Sequence, residues 1–427
     1  NGRAQGVETL TLEDCLRIGI DNNLSLESKR REIQKSKYGV SENRARLLPQ
    51  ISAVAGYSNN FDPPVSVTDG SSYGVPYNIT QTLQHSANAG LEMQMPLFNQ
   101  TLYTSMSIAK VVEEISRLSY GKAREDIILQ ISKMYYLGQV TAEQIVLIKA
   151  NITRLEELRD ITRAFFDNGM SMEVDLKRVN INLENLKVQY DNAQAMMKQQ
   201  LNMLKYIMDY PAEKEIALTP VNTDSITTVA LTGLSENLYE LQLTQSQLEL
   251  AERQKRMITN GYIPSLSLTG NWRYAAYTDK GYHWFHSGPS NHWFRSYGLG
   301  LTLRIPIFDG LDKTYKIRKA MIDIENRKLA WEDTRKNLQT QYLNAVNDLM
   351  NNQRNFKKQK DNYLLAEDVY AVTSDRYREG IASMTEVLQD EMQMSEAQNN
   401  YISAHYNYRV TNLMLLKLTG QIESLVK

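Results

Sequence analysis

Three of the five histidines, His283, His286 and His292, fall in one stretch, YHWFHSGPSNHWF, interleaved with Trp284 and Trp293. Imidazole is a common metal ligand, so a metal site is one reading. Histidines alternating with indoles also suit the aromatic girdle of a membrane barrel, and that reading is preferred: no metal and no cofactor are expected. Cys15 is the only cysteine, so neither an intrachain disulfide nor a cysteine-based metal motif can form. Within TLEDCLRIGI it reads as a small buried hydrophobe. The chain contains no HExxH, GxSxG or GxxxxGK[ST] motif and no Cys–His pair, so catalysis is not expected. Two carboxylates share a spacing: Asp175 lies six residues after Gly169, and Glu386 six after Gly380. An acid in the first turn of a helix favours the positive end of its dipole. That alone accounts for one such residue; the repeated spacing calls for an account of the elements around it.

The 427 residues carry a net charge of -1, without the basic excess of a nucleic-acid binder. Mean hydropathy is -0.46, and no run of 18 or more apolar residues exists. A transmembrane helix is thereby excluded, but a β-barrel is not, because its alternating strands average out in hydropathy. The chain opens at NGRAQG without a basic and apolar leader, as in a cytosolic protein or one whose signal peptide has been removed.

None of the ten prolines falls between Leu97 and Tyr210, and none follows Pro306. Proline inside a helix costs about 3 kcal/mol, so both spans predict long helices. Thr101 to Phe166 and Leu311 to Arg378 have apolar residues every three or four positions. Each would make a helix of roughly 100 Å, a length that calls for coiled-coil packing. One break is expected near the middle of each span: FFDNGMSMEVDL, Phe165 to Leu176, and RYREGIASMTEVL, Arg376 to Leu388. An aromatic precedes glycine by three positions in both, Phe166 with Gly169 and Tyr377 with Gly380. Glycine suits the left-handed residue beyond a helix end, and Ser171 or Ser383 can cap the helix that follows.

The proline-bearing zones alternate with period two. Ala87, Ala89, Leu91, Met93 and Met95 share one face before Pro96; Leu266, Leu268, Trp272 and Tyr274 do so after Pro264; Tyr297, Leu299, Leu301, Leu303 and Ile305 do so before Pro306. With ISAVAGYS after Pro49, these make four strands between two different environments. The halves match in order: LLPQISAVAGYS parallels YIPSLSLTGNWRY, MPLFNQ parallels IPIFDG, and DNGMSMEVDL parallels REGIASMTEVL. Offsets are 215 residues at Pro49 and Pro264, 210 at Pro96 and Pro306, and 211 at Gly169 and Gly380. The expectation is a duplicated unit, residues 1–210 and 211–427, intertwined in one fold. Four strands could form a small sheet packed on helices, as in a soluble coiled-coil scaffold. If they instead span a membrane they cannot close alone, and the chain must oligomerise. Polar inner faces favour the twelve-stranded barrel of a trimer, which leaves a lumen.

In this order and in duplicate, TLEDCLRIGIDNNLSLESKRREIQKSKYGVSENRARLLPQISAVAGYS, the junctions MPLFNQ and IPIFDG, and the two tips resemble the TolC-type outer-membrane efflux and secretion channels. The resemblance covers nearly the whole chain. It implies an α+β membrane protein, a homotrimer with a twelve-stranded β-barrel of four strands per chain, continued across the periplasm by a helical coiled-coil barrel. The segment near Tyr210 to Leu234 and the C-terminal tail would form a belt. The resemblance also implies a duct in the outer membrane of a Gram-negative bacterium, passing drugs or other small toxic compounds or, alternatively, proteins of a type I secretion system. Its partners would be a periplasmic adaptor (membrane fusion) protein, an inner-membrane transporter of RND, ABC or MFS type, and outer-membrane lipid, without nucleic acid. Many members are lipidated on an N-terminal cysteine; whether this one is, the sequence given from Asn1 does not tell.

Site residues follow from the same resemblance. Members hold an acid near the constriction six residues after the tip glycine, which assigns Asp175 and Glu386 to a pore gate. Three copies of Glu386 would make a ring that favours cations and binds a blocking metal ion. A second acidic ring three residues further on is replaced by Gln389, with Asp390 beside it. An arginine two residues after the second glycine is replaced by Ala382, which leaves Tyr377 to bond Asp175 in a different closing network. Phe166, Gly169, Met170, Ser171, Gly380, Ile381, Ala382 and Ser383 would form the adaptor-docking tip.

Overall fold

The computed structural model describes residues 8–63, 65–81, 83–220, 232–278 and 293–426. In chain order the elements are β1 (Glu8–Leu10), α1 (Leu12–Asn22), α2 (Leu24–Ala45), β2 (Gln50–Asn59), β3 (Val65–Asp69), β4 (Tyr77–Gln81), β5 (His85–Phe98), α3 (Gln100–Asp167), α4 (Glu173–Met208), β6 (Ile216–Leu218), α5 (Tyr239–Asn260), β7 (Ser265–Thr278), β8 (Trp293–Arg304), α6 (Asp312–Arg378) and α7 (Met384–Leu418). The histidine cluster His283, His286 and His292 lies outside the described residues.

Both proline-free spans are helical. α3 and α6 have 68 and 67 residues, α4 and α7 have 36 and 35, and α2 and α5 have 22 each. The reversal comes about two-thirds of the way along each span, not near its middle as expected. The first helix of each hairpin is therefore nearly twice as long as the second. α1 starts with a reciprocal cap: Thr11 Oγ accepts the Asp14 N–H at 3.1 Å, and Asp14 Oδ2 accepts the Thr11 N–H at 3.1 Å. Such a box satisfies two of the N–H groups that a helix start leaves unpaired.

The chain packs as two units. One comprises Gln34–Ile115 and Ser246–Lys328 and holds all four expected strands in one antiparallel sheet, ordered β2-β5-β7-β8. Residues paired across strands share a face, so register shows what each face carries. Ala53, Leu91, Trp272 and Tyr297 form one row, and Ile51, Met93, Gly270 and Leu299 the next but one. Between them, on the other face, run Ser52, Glu92, Asn271 and Gly298. Apolar residues read separately in each strand thus fall on a common side. On the polar side Arg273 donates to Glu92 at 2.9 Å.

β5 runs on through Pro96 to Phe98, beyond its expected end. A bulge between Pro96 and Phe98 returns Phe98 to the apolar face opposite Leu266, as an extra residue does where proline interrupts the ladder. The apolar face is open: Tyr297, Leu299 and Leu301 are 75%, 78% and 67% exposed. A sheet packed on helices would bury them. A hairpin of β3 with β4 is also present.

The other unit comprises Asn1–Ile33, Ser116–Gln245 and Leu329–Lys427. Cys15, Leu16, Ile131, Leu204, Met208 and Leu413 pack one buried core from α1, α3, α4 and α7, joined by Ile216 and the C-terminal Ile422. Cys15 is fully buried, and burial pushes its thiol up to about 12, which makes it an inert packing residue. β1 and β6 pair in parallel beside this core. Tyr135 bonds Thr219 at 2.5 Å, and Gln139 donates to the Thr219 carbonyl at 2.7 Å. Between α3 and α7 lies a polar layer in which Tyr401 donates to Glu143 at 2.9 Å and Arg409 Nε to His405 Nε2 at 2.9 Å.

Each of α4 and α6 buries one face within the chain and leaves another bare. On α4, Val174, Ile181 and Val188 stand seven residues apart, followed by Met196 and Met203, all exposed. On α6, Tyr315, Ile322, Leu329, Leu343, Met350 and Leu364 fall on multiples of seven and are exposed. Lys336 and Lys357 fill the two gaps. A seven-residue apolar repeat is the seam of a coiled coil.

Candidate functional site

Both hairpin tips are built alike. Gly169 has φ 72° and Gly380 φ 74°. Gly169 donates to the Phe166 carbonyl at 2.9 Å and Met170 to that of Phe165 at 2.7 Å; Gly380 donates to Tyr377 at 2.9 Å and Ile381 to Arg376 at 2.8 Å. This pair of bonds ends a helix on a left-handed residue, a backbone that costs other residues about 1–2 kcal/mol.

The next helices start differently. Ser383 caps α7, its hydroxyl accepting the Glu386 N–H at 3.3 Å. Ser171 caps nothing: Met172 is the N-cap of α4 and has no side-chain bond. Among the described residues the Ser171 hydroxyl is buried without a partner. Position relative to glycine gives the reason, since Ser383 is third after Gly380 and Met172 is third after Gly169.

Beneath the turns, Leu155 and Leu158 of α3, Val179 and Leu183 of α4, Tyr370 and Tyr377 of α6, and Met384, Val387 and Met394 of α7 form one buried cluster. Ala382 belongs to it and is 9% exposed, so it supports the tip from inside and cannot serve as the docking contact expected of it. Phe166, Met170 and Ile381 are exposed, as are Met172 and Val174. The tips therefore end in apolar side chains facing outward.

Tyr377 does not bond Asp175. It is buried against Phe165, ring centroids 5.7 Å apart, and its hydroxyl donates to Thr162 at 3.2 Å. Thr162 in turn gives its own proton to the Leu158 carbonyl at 2.7 Å. The single phenolic proton is thus used inside the cluster. Burial raises the Tyr377 pKa, the Thr162 bond opposes that, and the Asp175 charge adds to it. Asp175 pairs instead with Arg178 at 3.3 Å, and Arg178 reaches Thr385 on the other hairpin at 3.4 Å. A second link joins Arg378 to Glu157 at 3.5 Å.

Glu386 is exposed and Asp390 half-buried. They are four residues apart, hence on one face of α7, and neither side chain makes an ion pair or hydrogen bond among the described residues. Their neighbour Glu391 is 5% exposed, its Oε1 unpartnered among the described residues, and burial pushes it up to about 6. Sequence reading missed Glu391, although it shares the helix face of Val387, Met394 and Gln398, a core face on which a carboxylate is out of place. It also missed Arg178–Thr385, a contact between side chains 207 residues apart with no local signal.

The fold is shared with solved outer-membrane channels. The solved structure of CusC superposes with a TM-score of 0.80 at 15% identity, over 98% of this chain and 94% of that one. The chain belongs to the outer membrane efflux protein family, whose model matches residues 18–208 and again 233–421. Among relatives, the outer membrane protein TolC of Vibrio cholerae is 20% identical over 399 residues, 90% of this chain and 84% of that protein. The toluene efflux pump outer membrane protein TtgC of Pseudomonas putida is 22% identical over 431 residues, 96% and 82% respectively. The protein is thus a TolC-type outer-membrane efflux protein that extends into the periplasm.

Proposed function

We propose that three copies of this duplicated chain form the exit duct of a tripartite efflux pump, gated at the helical tips. The observation that carries this reading is a matched pair of unsatisfied surfaces. The sheet ends on β2 at one side and β8 at the other, and open edges are not tolerated in lipid. Pairing β8 of one chain with β2 of the next closes them. The bare seams of α4 and α6 fit the same head-to-tail contact, which makes a ring when repeated. The apolar sheet face then meets lipid, and the face with Gln50, Gln94, Glu92, Asn271 and Arg273 lines water.

In that ring Glu386 and Asp390 of three chains supply the carboxylates of the gate. The Arg178–Thr385 and Arg378–Glu157 links tie one hairpin to the other and separate when the gate dilates. The exposed Phe166, Met170 and Ile381 receive a periplasmic adaptor, which couples the duct to an inner-membrane transporter. Likeness to a toluene efflux protein supports small toxic compounds as cargo.

Purified protein in a planar bilayer tests this. We expect cation-selective conductance blocked by divalent ions, and in Glu386→Ala a higher conductance with weaker selectivity and block. Unchanged conductance, selectivity and block would remove Glu386 from the gate. Failure of the wild-type protein to conduct at all would overturn the duct.

A further inference from the structure

A cavity of about 430 Å³ lies between the first turns of α3 and the last turns of α5. Tyr103, Thr104 and Ser107 line it from α3, with Gln100; Arg253, Arg256 and Asn260 line it from α5. Every one of these side chains carries a hydrogen-bond donor, and no carboxylate is among them. Thr104 is held in place, its hydroxyl donating to the Gln100 carbonyl at 2.8 Å and accepting from the Asn260 amide at 2.6 Å. Arg253 is neutralised by a fork onto Glu249, at 2.6 and 2.9 Å. Arg256 makes no ion pair or hydrogen bond among the described residues. An uncompensated guanidinium among hydroxyls and amides suits an anion with several acceptor oxygens, above all a phosphate group.

The surroundings indicate where such a phosphate comes from. Tyr103 packs on Phe98, ring centroids 6.3 Å apart. Phe98 pairs with Leu266, and Leu266 with Leu303, so this wall adjoins the apolar sheet face where the strands give way to helices. Exposed Tyr262 and Tyr315 stand in the same unit, with Lys313 over the first ring at 5.0 Å and Arg318 over the second at 5.7 Å. Aromatic rings and long cations at the end of a spanning segment mark the headgroup layer.

We infer that this cavity binds the phosphate of an anionic phospholipid headgroup at the periplasmic face of the outer membrane, with Arg256 as its ion partner. The inference rests on the membrane orientation proposed above.

The test uses delipidated full-length protein in neutral detergent. It is titrated with dioctanoyl phosphatidylglycerol, with dioctanoylglycerol and with inorganic phosphate, and bound mass is read by native mass spectrometry. One phosphatidylglycerol per chain is expected, weakened by about tenfold or more in Arg256→Gln and partly restored in Arg256→Lys, with no binding of the uncharged diacylglycerol. Equal affinity in wild type and Arg256→Gln would overturn the site. Inorganic phosphate binding as tightly as the lipid would overturn the lipid assignment in favour of a free-anion site. The same spectra count chains per particle. A monomer with Arg256-dependent binding would sink the trimeric duct and leave the site standing, and a trimer without it would do the reverse.

Discussion

The carboxyl of Glu391 is enclosed by the tip cluster, and burial raises it from the ordinary 4.5 to about 6. The folded chain therefore holds this proton more tightly than the unfolded chain does. Stability present below pH 4.5 should be lost as pH rises through about 6, by about 2 kcal/mol per chain. Denaturant melts at a series of pH values should show that decline, and Glu391→Gln should flatten it; an identical decline in the variant would assign it elsewhere. At this scale the sequence was legible where backbone geometry dictates the residue. Gly169 and Gly380 declare their turns because few other residues accept a left-handed φ. Partners of side chains were not legible: Thr162 lies 215 positions from Tyr377, and no local pattern links the two.

Among elements, the two tips form an internal control. Ser383→Ala removes a cap and should lower stability by about 1 kcal/mol, whereas Ser171→Ala removes only a buried, unpaired hydroxyl and should leave stability unchanged or higher. Thermal unfolding of both variants decides it, and equal losses would mean that Ser171 also caps. Strands and long helices were readable because period two and the absence of proline are strong signals over ten residues or more. The β3–β4 hairpin was missed because its strands have five residues each within a loop rich in Gly, Pro and Ser. The β1–β6 pair has three residues a side and joins segments more than 200 positions apart, so no local pattern announces it.

For the whole molecule, assembly should depend on the bare seam of α6. Leu343 is 53% exposed in the isolated chain, and a charge there would be desolvated wherever the seam meets α4 of a neighbour. Wild-type protein in detergent should have about three times the 49.0 kDa of one chain, with bound detergent subtracted. Leu343→Glu should shift it towards single chains while α-helical content holds. A trimer undisturbed by the charge would place the contact elsewhere. From the sequence, four strands too few to close call for more than one chain, and the polar inner faces are what favour three. Which helix faces stay bare required knowing which faces the chain had already used, and heptads alone do not say that.

The two free sheet edges also bear on how the protein reaches its destination. A single chain carries unpaired backbone at β2 and β8, the two sides of its sheet, and an uncovered apolar face, the features that drive strand-to-strand aggregation. In the ring proposed above, closure comes only from neighbouring chains. On that proposal, chains made faster than they insert would aggregate without adding channels.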